Sequence, residues 1–86
     1  MIKRTLLFSN PVHLSTQKEQ LLVTYSDSKE QKRVPIEDIG MVILEHQQIT
    51  LSHTLISKLL GNNVALVTCD AHYLPQGMML NLNGHT

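Results

Sequence analysis

The sequence predicts an α+β domain that is mostly β, with six or seven short strands and a single amphipathic helix. Three observations carry this. Short β-prone runs punctuated by turn residues fill the first half of the chain. Two apolar tetrads, Met41-Val42-Ile43-Leu44 and Val64-Ala65-Leu66-Val67, read as buried strands, the first covered on both faces. Between them Leu51, Leu55 and Leu59, with Ile56 and Leu60, recur at helical spacing. Strand, helix and strand joined by short connections is the pattern of a right-handed crossover between parallel strands.

The elements follow in order. Residues 5–9 form a first strand, broken at Asn10-Pro11 because proline lacks an amide donor and holds its predecessor extended. Residues 12–16 form a second, Gln17-Lys18-Glu19 a tight turn, and residues 21–25 a third. The mixed-charge run at 27–33 reads as a solvated hairpin loop. Residues 32–36 form an edge strand whose Pro35 cannot donate to a ladder. Residues 37–40 then turn into the first tetrad. Thr50 offers a hydroxyl to the helix N-terminus, and Gly61 stands where the helix can close in the left-handed conformation. The second tetrad ends in the polar cluster Thr68-Cys69-Asp70. Residues 71–77 form a loop holding Pro75 and Gly77. Met78, Leu80 and Leu82 alternate with Met79, Asn81 and Asn83, which predicts a last, half-exposed strand.

Eighty-six residues make one small domain, spanning residues 1–86. Seven basic and seven acidic side chains cancel. Composition therefore gives no sign of a domain that grips nucleic acid unaided. One cysteine excludes an internal disulfide and suits a reducing cytoplasm. The apolar run near the N-terminus is too short for a signal peptide, and no segment reaches the length of a membrane span. Cytoplasmic residence is the expectation.

Two polar clusters follow the tetrads: Glu45-His46 after the first, and Cys69-Asp70 with His72 after the second. In a parallel pairing both reach one sheet edge, and His53 near the helix start faces it too. Carboxylate, imidazole and thiolate together suit a zinc-like cation, which gives one reading: a small metal-binding hydrolase or sensor using Glu45, His46, His53, Cys69 and His72. The competing reading is turn formation and capping, since no paired metal-ligand spacing is present. Cys69 beside Asp70 is a poor nucleophile, because a neighbouring carboxylate disfavours the thiolate. The isolated glycines build no phosphate loop. Phe8 and Tyr25 fall in strand patterns and read as core, so no aromatic platform for single strands remains. Lys3, Arg4 and Lys18 are the cations of the first hairpin. A protein-interaction module of another kind is a third reading.

The order of several stretches is distinctive: Arg4-Thr5-Leu6-Leu7-Phe8 with Asn10-Pro11; Pro35-Ile36-Glu37-Asp38-Ile39-Gly40; Val42-Ile43-Leu44 with Glu45-His46; Gln48-Ile49-Thr50-Leu51; Gly61-Asn62-Asn63-Val64-Ala65; and Val67-Thr68-Cys69-Asp70 with His72, Pro75, Gly77 and Met79. Together they resemble the N-terminal domain of the CRISPR adaptation integrases, the Cas1 family, in the version found in type II systems. The resemblance implies a β-rich N-terminal domain whose larger helical, catalytic domain is absent here. It implies a parent that is a metal-dependent DNA endonuclease and integrase of spacer acquisition, with its magnesium or manganese ligands in that helical domain. No catalytic residue, metal ligand or cofactor is therefore carried onto this chain. Implied partners are a second copy through this domain, a Cas2 dimer and double-stranded prespacer DNA. The candidate DNA contacts are Arg4, Asn10, His13 and Lys18, with Pro11 beside them. Asn81-Leu82-Asn83 departs from the family's leucine-proline-leucine, which bears on the linker rather than the fold. Residues 83–86 read as a frayed end at a domain boundary.

Overall fold

Two four-stranded sheets share one core in the computed structural model, which describes residues 3–82. In chain order the elements are β1 (Arg4–Phe8), β2 (Val12–Gln17), β3 (Gln20–Tyr25), β4 (Gln31–Pro35), a single 3-10 turn (Ile36–Asp38), β5 (Ile39–Leu44), β6 (Thr50–Leu51), α1 (His53–Gly61), β7 (Ala65–Cys69) and β8 (Pro75–Met79). Among the described residues the fold is therefore β-rich, with one helix. The parallel sheet runs β1-β5-β7-β8, its first three strands parallel and β8 antiparallel to β7. The hairpin sheet runs β4-β3-β2-β6, antiparallel except where short β6 lies parallel to β2.

Alternation in β2 and β3 sends Val12, Leu14, Leu21 and Val23 inward. Ile39, Val42 and Leu66 meet them from the parallel sheet, and Leu55 and Leu59 from α1. Burial of each such side chain stabilises the fold by about 1.5–3 kcal/mol. Phe8 and Tyr25 pack against this cluster, as their strand positions predict. Lys18 and Glu19 both adopt positive φ, 53° and 62°, in the two-residue turn that sets Gln17 opposite Gln20.

Several boundaries differ from the sequence reading. Ser52, not Thr50, caps α1: its hydroxyl accepts from Leu55 N at 3.2 Å. Thr50 and Leu51 are held extended beside His13 and Leu14, so the helix starts two residues later. Gly61 lies within the helix, and the left-handed residue is Asn63, at φ 60°. Asparagine tolerates that conformation, and the Asn62 side chain helps close the end by donating to Lys58 O at 2.8 Å. The first tetrad belongs to a strand beginning at Ile39. Only Val42 of that tetrad is fully buried; Met41, Ile43 and Leu44 are half-buried, so the strand is not closed over on both faces. The last strand begins at Pro75 and ends at Met79, and every residue in it is exposed, so half-burial is not seen. The shift arises at Asp70, whose Oδ1 accepts from His72 N at 2.8 Å and Leu74 N at 3.0 Å and completes the turn early. Expectations for residues 83–86, Asn83 included, lie outside the described residues.

Candidate nucleic-acid interface

The outward residues of the hairpin sheet are mostly polar, with Leu22 between Ser15 and Arg33 the apolar exception in β3, and the register fixes which ones share a row. Gln31 stands beside Thr24, Thr24 beside His13, and His13 beside Thr50. His13 Nδ1 and Thr50 Oγ1 are hydrogen-bonded at 2.6 Å, and Gln31 Nε2 donates to Thr24 Oγ1 at 3.4 Å. On the same face Arg33 donates to Gln17 Oε1 at 3.1 Å. The result is a band of donors and acceptors with one guanidinium and one imidazole, both exposed.

At the end of this band the Asn10-Pro11 turn opens a cleft of about 430 Å³, lined also by Tyr25, Ser26, Asp27 and Gln48. Ser26 N donates to Pro11 O at 3.3 Å, which joins the first connection to the β3–β4 loop. Asp27 places an anion in the cleft, so the cleft itself repels phosphate. The ring of Tyr25 has Lys32 Nζ 5.6 Å from its centroid and offers no free stacking face on that side.

The four sequence-derived contact candidates do not form one patch. Asn10 and His13 lie together at one end of the hairpin sheet. Lys18 sits at the opposite end of β2, roughly 20 Å away at about 3.3 Å per residue. Arg4 opens β1 on the other sheet. Arg33 and Gln31 were not among the candidates, although they share a face with His13. The signal for them is register: counting outward from the turn across β3 and β4 puts both on the His13 face.

The carboxyl ends of β5 and β7 do meet, as the crossover pattern predicts. Gln47 Nε2 donates to Cys69 O at 2.9 Å across that edge. The metal-centred reading is not supported there. Among the described residues no group of three or more His, Cys, Asp and Glu is placed to hold a metal ion. His46 Nδ1 accepts from Gln48 N at 3.0 Å, Asp70 closes its own turn, His53 and His72 are exposed, and Cys69 is buried. His46 and Asp70 thus build turns, and Cys69 fills the interior. What the surface offers is recognition through hydrogen bonds and a few cations. No described helix is long and apolar enough to cross a membrane.

Comparison with known proteins agrees with the fold. A family model described as CRISPR associated protein Cas1 matches residues 5–86. A curated relative, the CRISPR-associated endonuclease Cas1 of Neisseria meningitidis serogroup C (strain 8013), is 38% identical over 80 residues, covering 93% of this chain and 26% of the relative. Among solved structures, a Cas1–DNA complex superposes with a TM-score of 0.77 at 10% identity, over 91% of this chain and 28% of the other. A chain of a partial Cas6-RT-Cas1–Cas2 complex gives 0.79 at 16% identity, over 91% of this chain and 23% of that one. At those identities the solved structures establish a shared fold. The chain spans about a quarter of the curated relative's length.

Proposed function

We propose, from the premise that the chain belongs to the Cas1 family of CRISPR-associated proteins, that it is the N-terminal scaffold region of a DNA integrase and endonuclease of spacer acquisition. The observation that carries this reading is the 38% identity to a Cas1 endonuclease across 93% of the chain. On this reading the region pairs with a second copy, helps to seat prespacer duplex and works in the cytoplasm beside Cas2. Bond breaking and joining, with their magnesium or manganese, belong to the remaining three quarters of such a protein. The DNA and Cas2 complexes among its fold relatives support the choice of partners.

The chemistry of the chain supports a seating role over a catalytic one. A duplex laid along β2 meets Asn10 and His13 at one end and Lys18 at the other, with Arg33 between and Arg4 on the neighbouring sheet. With so few phosphate contacts and a net charge of zero, affinity for DNA is weak and shallow in its salt dependence. The 86-residue chain alone, given manganese or magnesium, neither cleaves nor joins DNA. Reproducible cleavage by rigorously purified material overturns that part.

The direct test is a graft. Residues 1–82 replace the corresponding quarter of the Neisseria relative, and spacer acquisition is measured in cells. Retained acquisition supports the scaffold reading. A stable, well-expressed graft that acquires no spacers counts against it.

A further inference from the structure

Two hydroxyl residues precede α1, and the fold gives them different partners. Ser52 caps the helix. Thr50 lies two residues earlier in β6, which runs parallel to β2 and sets Thr50 beside His13 and Leu51 beside Leu14. Ser52 N donates to Leu14 O at 3.0 Å and ties the two strands together just past that pair. Leu14 is fully buried and Leu51 packs against the core, so alternation brings His13 and Thr50 out on the opposite, exposed face. There His13 Nδ1 and Thr50 Oγ1 are 2.6 Å apart. Thr24, the neighbour of His13 on its other side, is engaged by Gln31. Thr50 is therefore the side chain that holds the ring, and its branched Cβ limits its own rotamers.

That bond decides what the rest of the ring can do. A neutral imidazole carries one ring proton, so one nitrogen donates and the other accepts. The hydrogen bond at one nitrogen sets the tautomer, and hence the role of the other. If the threonine hydroxyl donates to Nδ1, the proton sits on Nε2. If Nδ1–H donates to the hydroxyl, Nε2 is left as a bare acceptor. Strand side chains stand roughly perpendicular to their sheet, so Nε2, the nitrogen farther from the backbone, is the outer one. A DNA phosphate oxygen only accepts, and the minor groove presents mostly acceptors as well. Of the two neutral forms, the first offers them a hydrogen bond. The second sets lone pair against lone pair.

We infer that Thr50 is a positioning residue for His13. Its hydroxyl donates to Nδ1 and fixes the Nε2–H tautomer, so the ring presents an outward donor to a phosphate oxygen of the duplex. This rests on the reading of His13 as a DNA contact and specifies how that contact is made. The ring is held before DNA arrives, so less rotamer freedom is lost on binding, an advantage of about two- to tenfold in affinity. A chain with seven cations balanced by seven anions gains from having a neutral donor already set in place. The two-residue β6 thereby acquires a purpose: Leu51 anchors it to the core, and Thr50 is carried to the ring.

The test is nitrogen-15 NMR of the 86-residue chain and three variants, T50V, T50S and H13A, with circular dichroism to confirm folding. Valine removes the hydroxyl and keeps the branched shape that suits a strand; serine keeps the hydroxyl. Long-range proton–nitrogen spectra at the alkaline end of a pH titration read the tautomer of the neutral ring. The parent and T50S are expected to show Nε2–H, and T50V a mixture of tautomers. The same samples are then titrated with a short blunt DNA duplex, and affinity is taken from the amide shifts. T50V is expected to bind about two- to tenfold more weakly than the parent, T50S to recover most of that loss, and H13A to lose at least as much as T50V. A parent ring in the Nδ1–H form, or one whose tautomer is the same in T50V, overturns the positioning role. A T50V chain that binds like the parent while H13A binds weakly also overturns it and leaves the His13 contact standing. An H13A chain that binds like the parent overturns the contact itself, and the donor role with it.

Discussion

The hairpin sheet and the parallel sheet share a core but meet the outside differently. The hairpin sheet turns threonines, glutamines, His13 and Arg33 outward, ties them to one another, and guards its long edge with two cations and a proline. The parallel sheet turns Leu7, Ile43 and Met78 outward, and its β8 edge carries no charge. Parallel strands are ordinarily covered on both faces, yet among the described residues Leu7 and Met78 on the outer face stay exposed while Val67 between them is buried. The difference teaches that the two sheets solve the problem of an outer face differently: one satisfies its polar groups internally, and the other leaves apolar side chains at its margins. In the scaffold reading, the polar face is the one that meets DNA and the apolar one is where assembly occurs.

The largest expected effect breaks the comparison by removing what the sheets share. Leu14 and Leu55 are fully buried where β2 faces α1. Leu14→Ala or Leu55→Ala is expected to cost about 2–5 kcal/mol in chemical denaturation. A loss well below 1 kcal/mol would mean that the sheets do not share one core.

Next in size is the helix start, which links the two sheets. Ser52→Ala removes the hydroxyl that accepts from Leu55 N and is expected to cost about 1 kcal/mol. Thr50→Ala should cost less, since Thr50 is a strand residue bonded to His13 on an exposed face. The reverse order would restore the earlier capping assignment.

A sharper division comes from surface changes. His13→Ala with Arg33→Ala is expected to lower duplex affinity of the grafted protein several-fold without changing its dimerisation, measured by fluorescence anisotropy at fixed salt. Equal losses in both properties would erase the distinction between the two faces. The smallest effect belongs to the ion pair between Lys58 on α1 and Glu19 in the β2–β3 turn, whose side chains are 40% and 69% exposed. Glu19→Gln is expected to change stability by less than about 1 kcal/mol, because water screens such a pair.

Much of the fold was legible because its signals are local. The two apolar tetrads announce β5 and β7, and the leucine spacing announces α1. The rest depended on distant partners. Nothing local marks Thr50-Leu51 as a strand; their pairing with His13 and Leu14 does, and that pairing hands the cap from one hydroxyl residue to the next. Pro75 and Gly77 read as loop residues because both usually break strands. On an edge, however, proline at the first position removes no needed donor, and Gly77 makes room against Thr68, whose Cγ2 lies 3.2 Å from where a Cβ would stand. The candidate site followed the same pattern. His13 stood out through family resemblance and its place beside a turn. Arg33 did not, because its face is set by the register of a hairpin, and its charge was absorbed into a run that reads as solvated loop.

Hydrogen exchange followed across a concentration series compares the two sheets most directly. The scaffold reading predicts that amides of the parallel sheet slow as concentration rises through the dimer range, while those along β4 exchange at an unchanged rate. Protection that grows at β4, or fails to grow in the parallel sheet of a sample shown to be dimeric, would contradict it.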